Sequence, residues 1–440
     1  MNNQEKRTIF HVDINSYFAT LLEQENPFIR GKAIGVVKDH GRTCIIAASK
    51  EAKKYGVKTG SRAKEARQLC PQITLIPASF DRCLDATKRL KKIFATVSPN
   101  VYIYSLDEAF LDLTDCRQYL YPSDIFPTVQ SIAQHIQNKI KQELGSEITS
   151  NVGIGPNRLL AKMASEIAPT GTALEINQDN LDGFLAEVSF DDVCGIGYRL
   201  SKKLQKIGIT NPYQIRFYSE EELSTYVGPY WAHELLAIAY GEEPALLSRL
   251  DTPSTPYMQS VGRSITGYRT YDPTKDQEAI KSILYNLGAE TIDKMRTMQL
   301  AGRKISISLY GGRKGFNNPG LGWESETQHK GNYPYWSNHI TLKAPINHIN
   351  ALHHHLAQLY ATWPADFSII KFGVRVSLLE PHKQEQLLPD WRKQEKIQTA
   401  LDSINQKYGL FKVRPAAIKS EHIIRPEVTG FLGDREYQLR

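Results

Sequence analysis

Short apolar runs and amphipathic segments alternate along residues 1–175. Apolar runs typical of buried strands lie at 8–14, 33–37, 43–48, 101–105, 109–114 and 149–154, with helical patterns at 15–25, 49–55, 61–70, 81–97 and 124–144. Pro27, Gly56 and Pro71 end three of these helical segments. The resulting β-α-β-β-α-β order, interrupted over 26–80, predicts a ferredoxin-like core that carries a small extra lobe.

The remainder of the chain shows two further patterns. Residues 176–245 are helical in character, and residues 246–256 read as a linker because they hold two prolines among polar residues. Beyond the linker, strand patterns at 260–268, 304–310, 339–342 and 369–379 are joined by helical patterns at about 275–298 and 346–361. The fold class expected for the chain is therefore α+β, with a second mixed domain after the linker.

Length and composition limit the class of protein. With 440 residues the chain is too long for one core and is expected to hold three or four domains. We expect no membrane span, because no run approaches the ~18 apolar residues of a spanning helix, and no export signal. The five cysteines are scattered without a Cys-x-x-Cys pair, which suits a reducing cytoplasm and predicts no zinc site.

Positive charge is concentrated in two blocks of the sequence. Residues 246–420 hold 23 Lys and Arg against 14 Asp and Glu, whereas residues 1–245 hold 28 against 29. Within that first part, residues 26–80 hold 11 basic against 3 acidic residues. A basic C-terminal domain favours contact with a phosphate backbone, and a solvated basic face is the alternative.

The run Tyr104–Thr114 contains two adjacent carboxylates, Asp107 and Glu108. Carboxylates in an apolar, strand-like stretch are costly unless a cation compensates them. Successive strand residues point to opposite faces, so a hairpin turn or a bulge is needed to bring both side chains to one ion. Their oxygen ligands indicate a divalent cation of the Mg²⁺ kind.

Asp13 supplies a third carboxylate at the end of the first apolar strand. Three carboxylates gathered from two strands can hold two Mg²⁺ ions about 4 Å apart, the arrangement that clamps the attacking and leaving oxygens in phosphoryl transfer. The alternative is that Asp13 caps the helix that follows it and that the Asp107-Glu108 pair forms a surface turn.

Two further motifs suit a protein that binds phosphates. The helix after Gly155 places Lys162 one turn beyond Arg158, where its charge would offset a triphosphate; a surface lysine is the alternative. The turn between Gly195 and Gly197, followed by a helical pattern, looks like a helix-hairpin-helix. Its backbone N–H groups would form an anion site for a DNA phosphate.

Together these motifs resemble the Y-family of DNA polymerases, the DinB/UmuC-like translesion enzymes. The resemblance covers residues 7–420 in order, and its carriers are Asp13 with Tyr17-Phe18-Ala19, the runs Ser105–Asp112 and Gly153–Lys162, Pro169-Thr170-Gly171, and the hairpin at Gly195. It implies a right-hand polymerase with a ferredoxin-like palm (1–25 and 81–175), small fingers (26–80), a helix-hairpin-helix thumb (176–245), a linker (246–256), an α+β little finger (257–420) and a tail (421–440).

The resemblance also implies roles for single residues. Asp13, Asp107 and Glu108 would be the catalytic ligands of two Mg²⁺ ions, helped by the backbone carbonyl of Ile14. Phe18 falls on the steric-gate position, where a ring blocks a ribose 2′-OH; a plain core residue is the alternative. Nucleotide contacts are expected at Tyr17, Lys50, Lys53 and Lys162, and DNA contacts at Gly195, Gly197 and Arg263.

The chain departs from the family pattern in three places. Asn15 and Ser16 replace residues that are commonly acidic or bulkier. Lys50 and Lys53 stand where the family often has Tyr-x-x-Arg, and lysine lacks the bidentate fork of arginine; this substitution leans slightly towards UmuC-like members. The run 384–391 lies where the family carries a sliding-clamp peptide, which it matches only loosely. A polar linker is an equally good interpretation of that run.

The function implied is that of a DNA-directed DNA polymerase of the translesion type, which extends a primer by two-metal nucleotidyl transfer in DNA damage tolerance or repair. Because the fingers lobe is small, we expect loose enclosure of the new base pair and low fidelity. The expected partners are primed template DNA and deoxynucleoside triphosphates, with a sliding clamp and accessory SOS proteins as further candidates. We expect a cytoplasmic monomer.

Two other functions remain open on sequence alone. A nucleotide-cyclising enzyme on the same palm would also need paired carboxylates and Mg²⁺, but it would not need a hairpin or a basic second domain to grip a duplex. A non-catalytic DNA-binding member of the family could act as a scaffold, although such a protein has no need to keep a costly carboxylate cluster.

Overall fold

The computed structural model describes residues 7–37, 44–244, 260–266, 275–311, 335–364, 368–382, 389–408, 412–414 and 416. The chain folds into two compact units, one within Met1–Thr255 and one within Pro256–Glu427. The linker expected at 246–256 and the tail expected at 421–440 lie outside the described residues.

The first unit contains an open sheet, a small lobe and a group of helices. Its elements are β1 (Ile9–Ile14), α1 (Tyr17–Glu25), β2 (Ile34–Val37), β3 (Ile45–Ala48), α2 (Lys50–Lys54), α3 (Ala63–Leu69), β4 (Thr74–Pro77), α4 (Phe80–Ala95), β5 (Asn100–Ile103), β6 (Glu108–Asp112), α5 (Arg117–Leu120), α6 (Val129–Leu144), β7 (Ser150–Gly155), α7 (Arg158–Ile167), β8 (Ala173–Glu175), α8 (Leu181–Glu187), α9 (Tyr198–Lys206), α10 (Glu220–Val227) and α11 (Pro229–Ala239).

Strand β1 lies at the centre of a five-stranded sheet with the order β5-β6-β1-β7-β8. It pairs antiparallel with β6 on one side and with β7 on the other. Alternate residues of β1 point to opposite faces. Phe10, Val12 and Ile14 join a core with α4 and α6, whereas Ile9 joins a second core with residues of β6 and α7. The α7 face is therefore the face that carries His11 and Asp13.

Helix α7 lies unusually close to the sheet. A Cβ atom at Gly153 would stand 1.8 Å from the carbonyl oxygen of Ala161 and 2.5 Å from the backbone nitrogen of Ser165. Only a residue without a side chain permits this approach, because real Cβ contacts are well above 3 Å. The close approach fixes the position of Lys162, which lies on α7 between these two residues.

The residues between α1 and α4 form the small lobe, with a three-stranded sheet of order β3-β2-β4. Strand β2 pairs antiparallel with β3 and parallel with β4. Small residues such as Ala48, Ala52 and Ala66 let α2 and α3 pack closely on this sheet. The insertion expected from the sequence is thus a separate layer with a core of its own.

The helices after β8 pack on the outer side of α7. Leu159 and Met163 of α7 share a buried cluster with residues of α8 to α11. The amide of Asn157 donates to the carbonyl of Gly241 at 2.7 Å, and a carboxylate oxygen of Glu243 accepts the backbone N–H of Arg158 at 2.9 Å. The start of α7 is therefore tied to the end of the helical region.

The second unit has one sheet and three helices among its described residues. Its elements are β9 (Ser260–Thr266), α12 (Gln277–Thr297), β10 (Leu300–Gly311), β11 (Tyr335–Ile346), α13 (Ile349–Tyr360), β12 (Ile369–Pro381) and α14 (Pro389–Tyr408). The sheet has the order β11-β10-β12-β9, and every neighbouring pair is antiparallel. Alternate residues of β10 and β12 pack against α12 and α13 in one core.

Several elements differ from the sequence expectation. β10 and β11 extend well beyond the strands expected at 304–310 and 339–342, because their outward faces are polar and hide the strand pattern. Helix α14 begins inside the run 384–391, where only a clamp peptide or a linker was expected, and 383–388 lie outside the described residues. In the part of the chain that is described, we find no helix with the length and apolarity of a membrane span.

Candidate polymerase active site

Asp13 and Glu108 are direct partners in the pairing of β1 with β6. Directly paired residues of antiparallel strands point to the same face, with Cβ atoms about 5 Å apart. Both side chains therefore lie on the α7 face, where the sheet ends towards the start of α1. The sequence had placed these two carboxylates on separate strands, and the antiparallel register brings them together.

Asp107 lies in a tight turn just before β6. The backbone N–H groups of Tyr104 and Ser105 both donate to the carbonyl of Glu108, at 3.0 and 3.1 Å, which closes a hairpin between β5 and β6. The Ser105 hydroxyl donates to the Asp107 carboxylate, and the Asp107 carbonyl accepts the N–H of Ile14 at 2.9 Å. This turn is the geometry that the sequence required to reorient one of two adjacent carboxylates.

The three carboxylates repel one another. Burial, followed by the charges of Asp107 and Glu108, raises the pKa of Asp13 well above its ordinary value. Burial also raises the pKa of Asp107 to about 6, with Glu108 adding to the effect and the Ser105 hydrogen bond opposing it. Burial acts on Glu108 in the same direction, but contacts with His11 and Lys162 outweigh it and lower its pKa.

Burial and repulsion between the carboxylates together favour the binding of a cation at this site. Two partly buried acids whose ionised forms are disfavoured by their neighbours gain most from a positive charge. Carboxylate oxygens are also the donors that Mg²⁺ prefers. Within the described residues, no three His, Cys, Asp or Glu side chains already converge as a closed metal site. The residues therefore fit the metal in their chemistry and location.

Lys162 supplies a positive charge at the edge of this cluster. Its ammonium contacts Oε2 of Glu108 and lies 3.1 Å from Oε1 of Glu166, which is four residues further along α7. Burial would lower the pKa of Lys162, but the charges of Glu108 and Glu166 outweigh burial and raise it, so the side chain stays charged. In this structure the lysine therefore binds carboxylates, and its expected contact with a triphosphate stays a prediction.

His11 and Ser165 also belong to the site, although the sequence reasoning missed both. His11 lies on the same face of β1 as Asp13, with Nε2 at 3.0 Å from Oε2 of Glu108 and Nδ1 at 2.6 Å from Oγ of Ser165. Burial lowers the pKa of His11, and the contact with the Glu108 carboxylate only partly offsets this. The available signal was a single polar residue inside the apolar run of β1.

The expected steric gate and its neighbour lie in the core beneath the site. Phe18 is 6% exposed, and Tyr17 is 2% exposed with its ring edge against Phe18, the centroids 5.6 Å apart. The Tyr17 hydroxyl donates to the carbonyl of Cys83 at 2.6 Å, and Thr87 links it at 2.8 Å to the Leu106 carbonyl before Asp107. The Tyr17 side chain thus supports the hairpin, and its nucleotide contact stays a prediction.

The remaining predicted nucleotide ligands lie on α2. Lys50 and Lys53 are both exposed and are three residues apart, so they share one side of this short helix. The hydroxyl of Ser49 accepts the N–H of Ala52 at the start of α2, which orients the helix. The charge of Lys50 acts on the buried Glu23 of α1, which indicates that the lobe faces the helix after Asp13.

The predicted hairpin lies directly before α9. Gly195 has a left-handed backbone (φ 93°), and Gly197 caps α9 with open space around its Cα atom. The N–H groups of Leu200 and Ser201 donate to the Gly197 carbonyl at the start of α9, and the positive end of the helix dipole there suits a phosphate. Arg199, Lys202 and Lys203 add positive charge to the same short helix.

The outward face of the second sheet is basic and polar. Lys304, Ser306 and Ser308 lie in one row of β10, opposite Thr341, His339 and Ser337 of β11 and Ser377, Arg375 and Gly373 of β12. Tyr310 packs against Tyr335, with ring centroids 4.6 Å apart, and Lys371 stacks over Tyr310 at 5.2 Å. Arg263 lies in β9 opposite Val374, and its side chain is outside the described part.

Comparison with known proteins gives a consistent result across the chain. The model of the impB/mucB/samB family matches residues 12–166, and the model of its C-terminal domain matches residues 259–388. A DNA polymerase IV of Xanthomonas oryzae pv. oryzae is 31% identical over 303 residues, covering 69% of this chain and 79% of that protein. A DNA polymerase IV of Moorella thermoacetica is 29% identical over 409 residues, covering 91% of this chain and 94% of that protein.

A solved structure supports the same fold. The chain is similar to a Y-family DNA polymerase chimera with a TM-score of 0.65 and 21% identity, covering 84% of this chain and 98% of the chimera. The right-hand polymerase architecture expected from the sequence is confirmed by this likeness. The slight lean towards UmuC-like members finds no support, since these relatives are named DNA polymerase IV. The chain therefore belongs to the Y-family of DNA polymerases, on the DinB-like side, and is a DNA-directed DNA polymerase.

Proposed function

We propose that this polymerase extends primers across damaged templates with low fidelity, using Asp13, Asp107 and Glu108 as its catalytic ligands. The observation that carries the proposal is the register of β1 and β6, which sets Asp13 opposite Glu108 while the hairpin brings Asp107 alongside. The backbone carbonyl of Ile14, at the end of β1, is the fourth proposed ligand. When bound, two Mg²⁺ ions would supply activation of the primer 3′-OH and neutralisation of the leaving pyrophosphate.

The chain's own residues would bind and orient the nucleotide. Lys50 and Lys53 are exposed on the lobe, and Lys162 is charged at the edge of the carboxylate cluster. Phe18 packs in the core of the first unit, which would hold its ring in place as a gate that excludes a 2′-OH by contact. In this proposal the lobe acts as the fingers (26–80), residues 1–25 and 81–175 as the palm, and residues 176–245 as the thumb.

DNA would be held mainly through its phosphates. The turn at Gly195 and Gly197 offers backbone N–H groups, and the second sheet offers Lys304, Lys371 and Arg375 on its outward face. These surfaces read no base edge by themselves, so they would accept any template sequence. Residues 257–420 would thus serve as the little finger, with Arg263 as a further DNA contact.

A sliding clamp is the proposed partner of the run 384–391. Accessory SOS proteins are proposed partners of the complete enzyme. Only Pro389, Asp390 and Trp391 of that run are described, as the first turn of α14. A peptide of residues 383–392 would test the contact with the clamp: if the run binds the clamp, the peptide should reduce primer extension on a clamp-loaded template.

The proposed low fidelity can be measured directly. Single-nucleotide incorporation opposite each undamaged base, and opposite an abasic site, gives the ratio of wrong to right insertion. We expect frequent misinsertion and measurable extension past the abasic site, because a small lobe checks base-pair shape weakly. Error rates as low as those of a replicative enzyme would reject the translesion proposal while leaving polymerase activity intact.

A further inference from the structure

A buried histidine in β1, His11, contacts Glu108 of the proposed metal site. His11 is 0% exposed, and its ring packs against Phe110 with centroids 4.6 Å apart. It lies two residues before Asp13, so both side chains leave the same face of the strand. A polar ring in the centre of an apolar strand is costly unless both of its nitrogens find partners.

The two ring nitrogens of His11 face polar atoms on opposite sides. Nδ1 lies 2.6 Å from the hydroxyl of Ser165 on α7, and Nε2 lies 3.0 Å from Oε2 of Glu108 on β6. An ionised carboxylate can only accept hydrogen bonds, so the tautomer that suits this geometry carries its proton on Nε2. The Ser165 hydroxyl faces Nδ1 and also lies 2.8 Å from the Lys162 carbonyl, so its single proton can serve only one of them. The carboxylate of Glu108, rather than Ser165, therefore selects the tautomer.

Two side chains of different flexibility contact Glu108. Lys162 and His11 both contact the same carboxylate oxygen, Oε2. The lysine has a flexible four-carbon side chain that also reaches Glu166. In the proposed function this ammonium moves to a triphosphate. The imidazole is enclosed on all sides and cannot follow, so it stays on Glu108 when the lysine leaves.

We propose that His11 is a positioning residue for the metal site: its Nε2–H holds Oε2 of Glu108, so that Oε1 is presented to the cation. The inference rests on the proposed function of Asp13, Asp107 and Glu108. Residues that hold a metal ligand in this way typically change metal affinity or activity 10–100-fold when they are removed.

The competing explanation is a core histidine whose only task is to bind α7 to the sheet through Ser165. Two substitutions separate these roles. His11→Phe keeps a ring of similar size but has no donor, whereas His11→Gln keeps an amide N–H that can reach Glu108. A purely structural role predicts that the two substitutions change the stability of the protein and leave its metal affinity unchanged. A positioning role predicts that metal affinity falls in His11→Phe, which has no donor, and is largely kept in His11→Gln, which has one.

The test measures metal binding without turnover. The full chain is mixed with a dideoxy-terminated primed DNA and the next deoxynucleotide. The concentration of free Mn²⁺ is measured by electron paramagnetic resonance, and the melting temperature is recorded separately. We expect His11→Phe to weaken Mn²⁺ binding ~10-fold and His11→Gln to restore most of it. The Mg²⁺ concentration for half-maximal extension should shift in the same order.

Each remaining outcome decides against the inference. Mn²⁺ binding by His11→Phe equal to the wild type overturns it, as does a failure of His11→Gln to rescue binding in a folded protein. If His11→Phe does not fold, His11→Leu, which also lacks a donor, replaces it: this variant should lose Mn²⁺ affinity several-fold, and unchanged affinity in the folded variant overturns the inference. Full extension by Asp107→Asn would instead reject the proposed metal site itself.

Discussion

Asp13 and Glu108 face each other across the two strands β1 and β6, and the hairpin turn before β6 places Asp107 beside them. Neither strand alone could assemble this cluster, because neighbouring strand residues point apart. The cluster is a product of antiparallel register plus one tight turn. Burial, together with repulsion between the carboxylates, raises the pKa values of Asp13 and Asp107, and a divalent cation would favour their ionised forms.

The first prediction concerns Asp107 in the metal-free protein. Its folded pKa is raised to about 6, so folding favours the protonated form and the wild type loses stability as pH rises from about 4 through 6. Asp107→Asn cannot ionise. We expect it to raise the free energy of unfolding above pH 7, by about 2–3 kcal/mol, with a gain that shrinks below pH 5. Urea unfolding with a chelator at pH 5–8 measures this.

Asp112 provides the matched control on the same strand. Burial would raise its pKa, but hydrogen bonds from Thr114 and the contact with Arg7 lower it. Its contribution is therefore present at neutral pH and lost on acidification, so Asp112→Asn should destabilise the protein above pH 5. Equal destabilisation by Asp107→Asn and Asp112→Asn at pH 8 would contradict the strain assigned to the carboxylate cluster.

The second prediction concerns the support beneath the hairpin. Tyr17→Phe removes a buried hydroxyl that bonds the Cys83 carbonyl and Thr87. We expect a loss of about 1–2 kcal/mol in unfolding free energy, because the partners are left without this donor. Tyr104→Phe is the control, since its hydroxyl only meets the sulfur of Cys194 at 3.9 Å. Chemical denaturation should give a clearly lower free energy of unfolding for Tyr17→Phe than for Tyr104→Phe. The reverse order would contradict the proposed support of the hairpin by the Tyr17 hydroxyl.

The third prediction concerns the approach of α7 to the sheet. Gly153→Ala places a methyl group 1.8 Å from the Ala161 carbonyl, so α7 and Lys162 must shift. We expect a loss of about 3 kcal/mol or more. Gly197→Ala is the control, because a methyl group there meets nothing within 4 Å. Thermal unfolding of both variants checks this, and a Gly153→Ala protein as stable as Gly197→Ala would show that α7 has room to move.

The fourth prediction concerns the outward face of the second sheet. Arg375→Ala removes an exposed cation from the centre of this face. If it meets a phosphate, duplex binding should weaken evenly across sequences, and the slope of log affinity against log salt should fall by about 1. Lys281→Ala, on α12 rather than on the sheet, is the control and should leave the slope unchanged. Equal slopes for the two variants would place the DNA elsewhere.

Much of the site could be predicted from sequence because its motifs are local. The run around Asp107 and Glu108, the acid that ends β1 and the lysine of α7 each carry a recognisable pattern within a few residues. The order of strands and helices in the first unit also followed from apolar periodicity, apart from the short strands β4 and β8, which were not expected. These are short-range signals, and they survive without any knowledge of which strands pair.

The parts that could not be predicted depend on long-range register. His11 looked like one more residue of an apolar strand, and only the pairing of β1 with β6 and the closeness of α7 give its two nitrogens partners. Likewise, the strong contact of Lys162 with Glu108 spans 54 positions of sequence. Helix α14 was missed because its mixed polar sequence lacks a clear apolar stripe.

Primer extension is the most direct test of the central claim that Asp13, Asp107 and Glu108 form the catalytic metal site. A primed template, deoxynucleotides and Mg²⁺ are supplied to the wild type, to Asp107→Asn and to Asp112→Asn. The wild type and Asp112→Asn should extend the primer, while Asp107→Asn should fall to background although it still binds the DNA. Extension by Asp107→Asn at the wild-type rate would contradict the assignment.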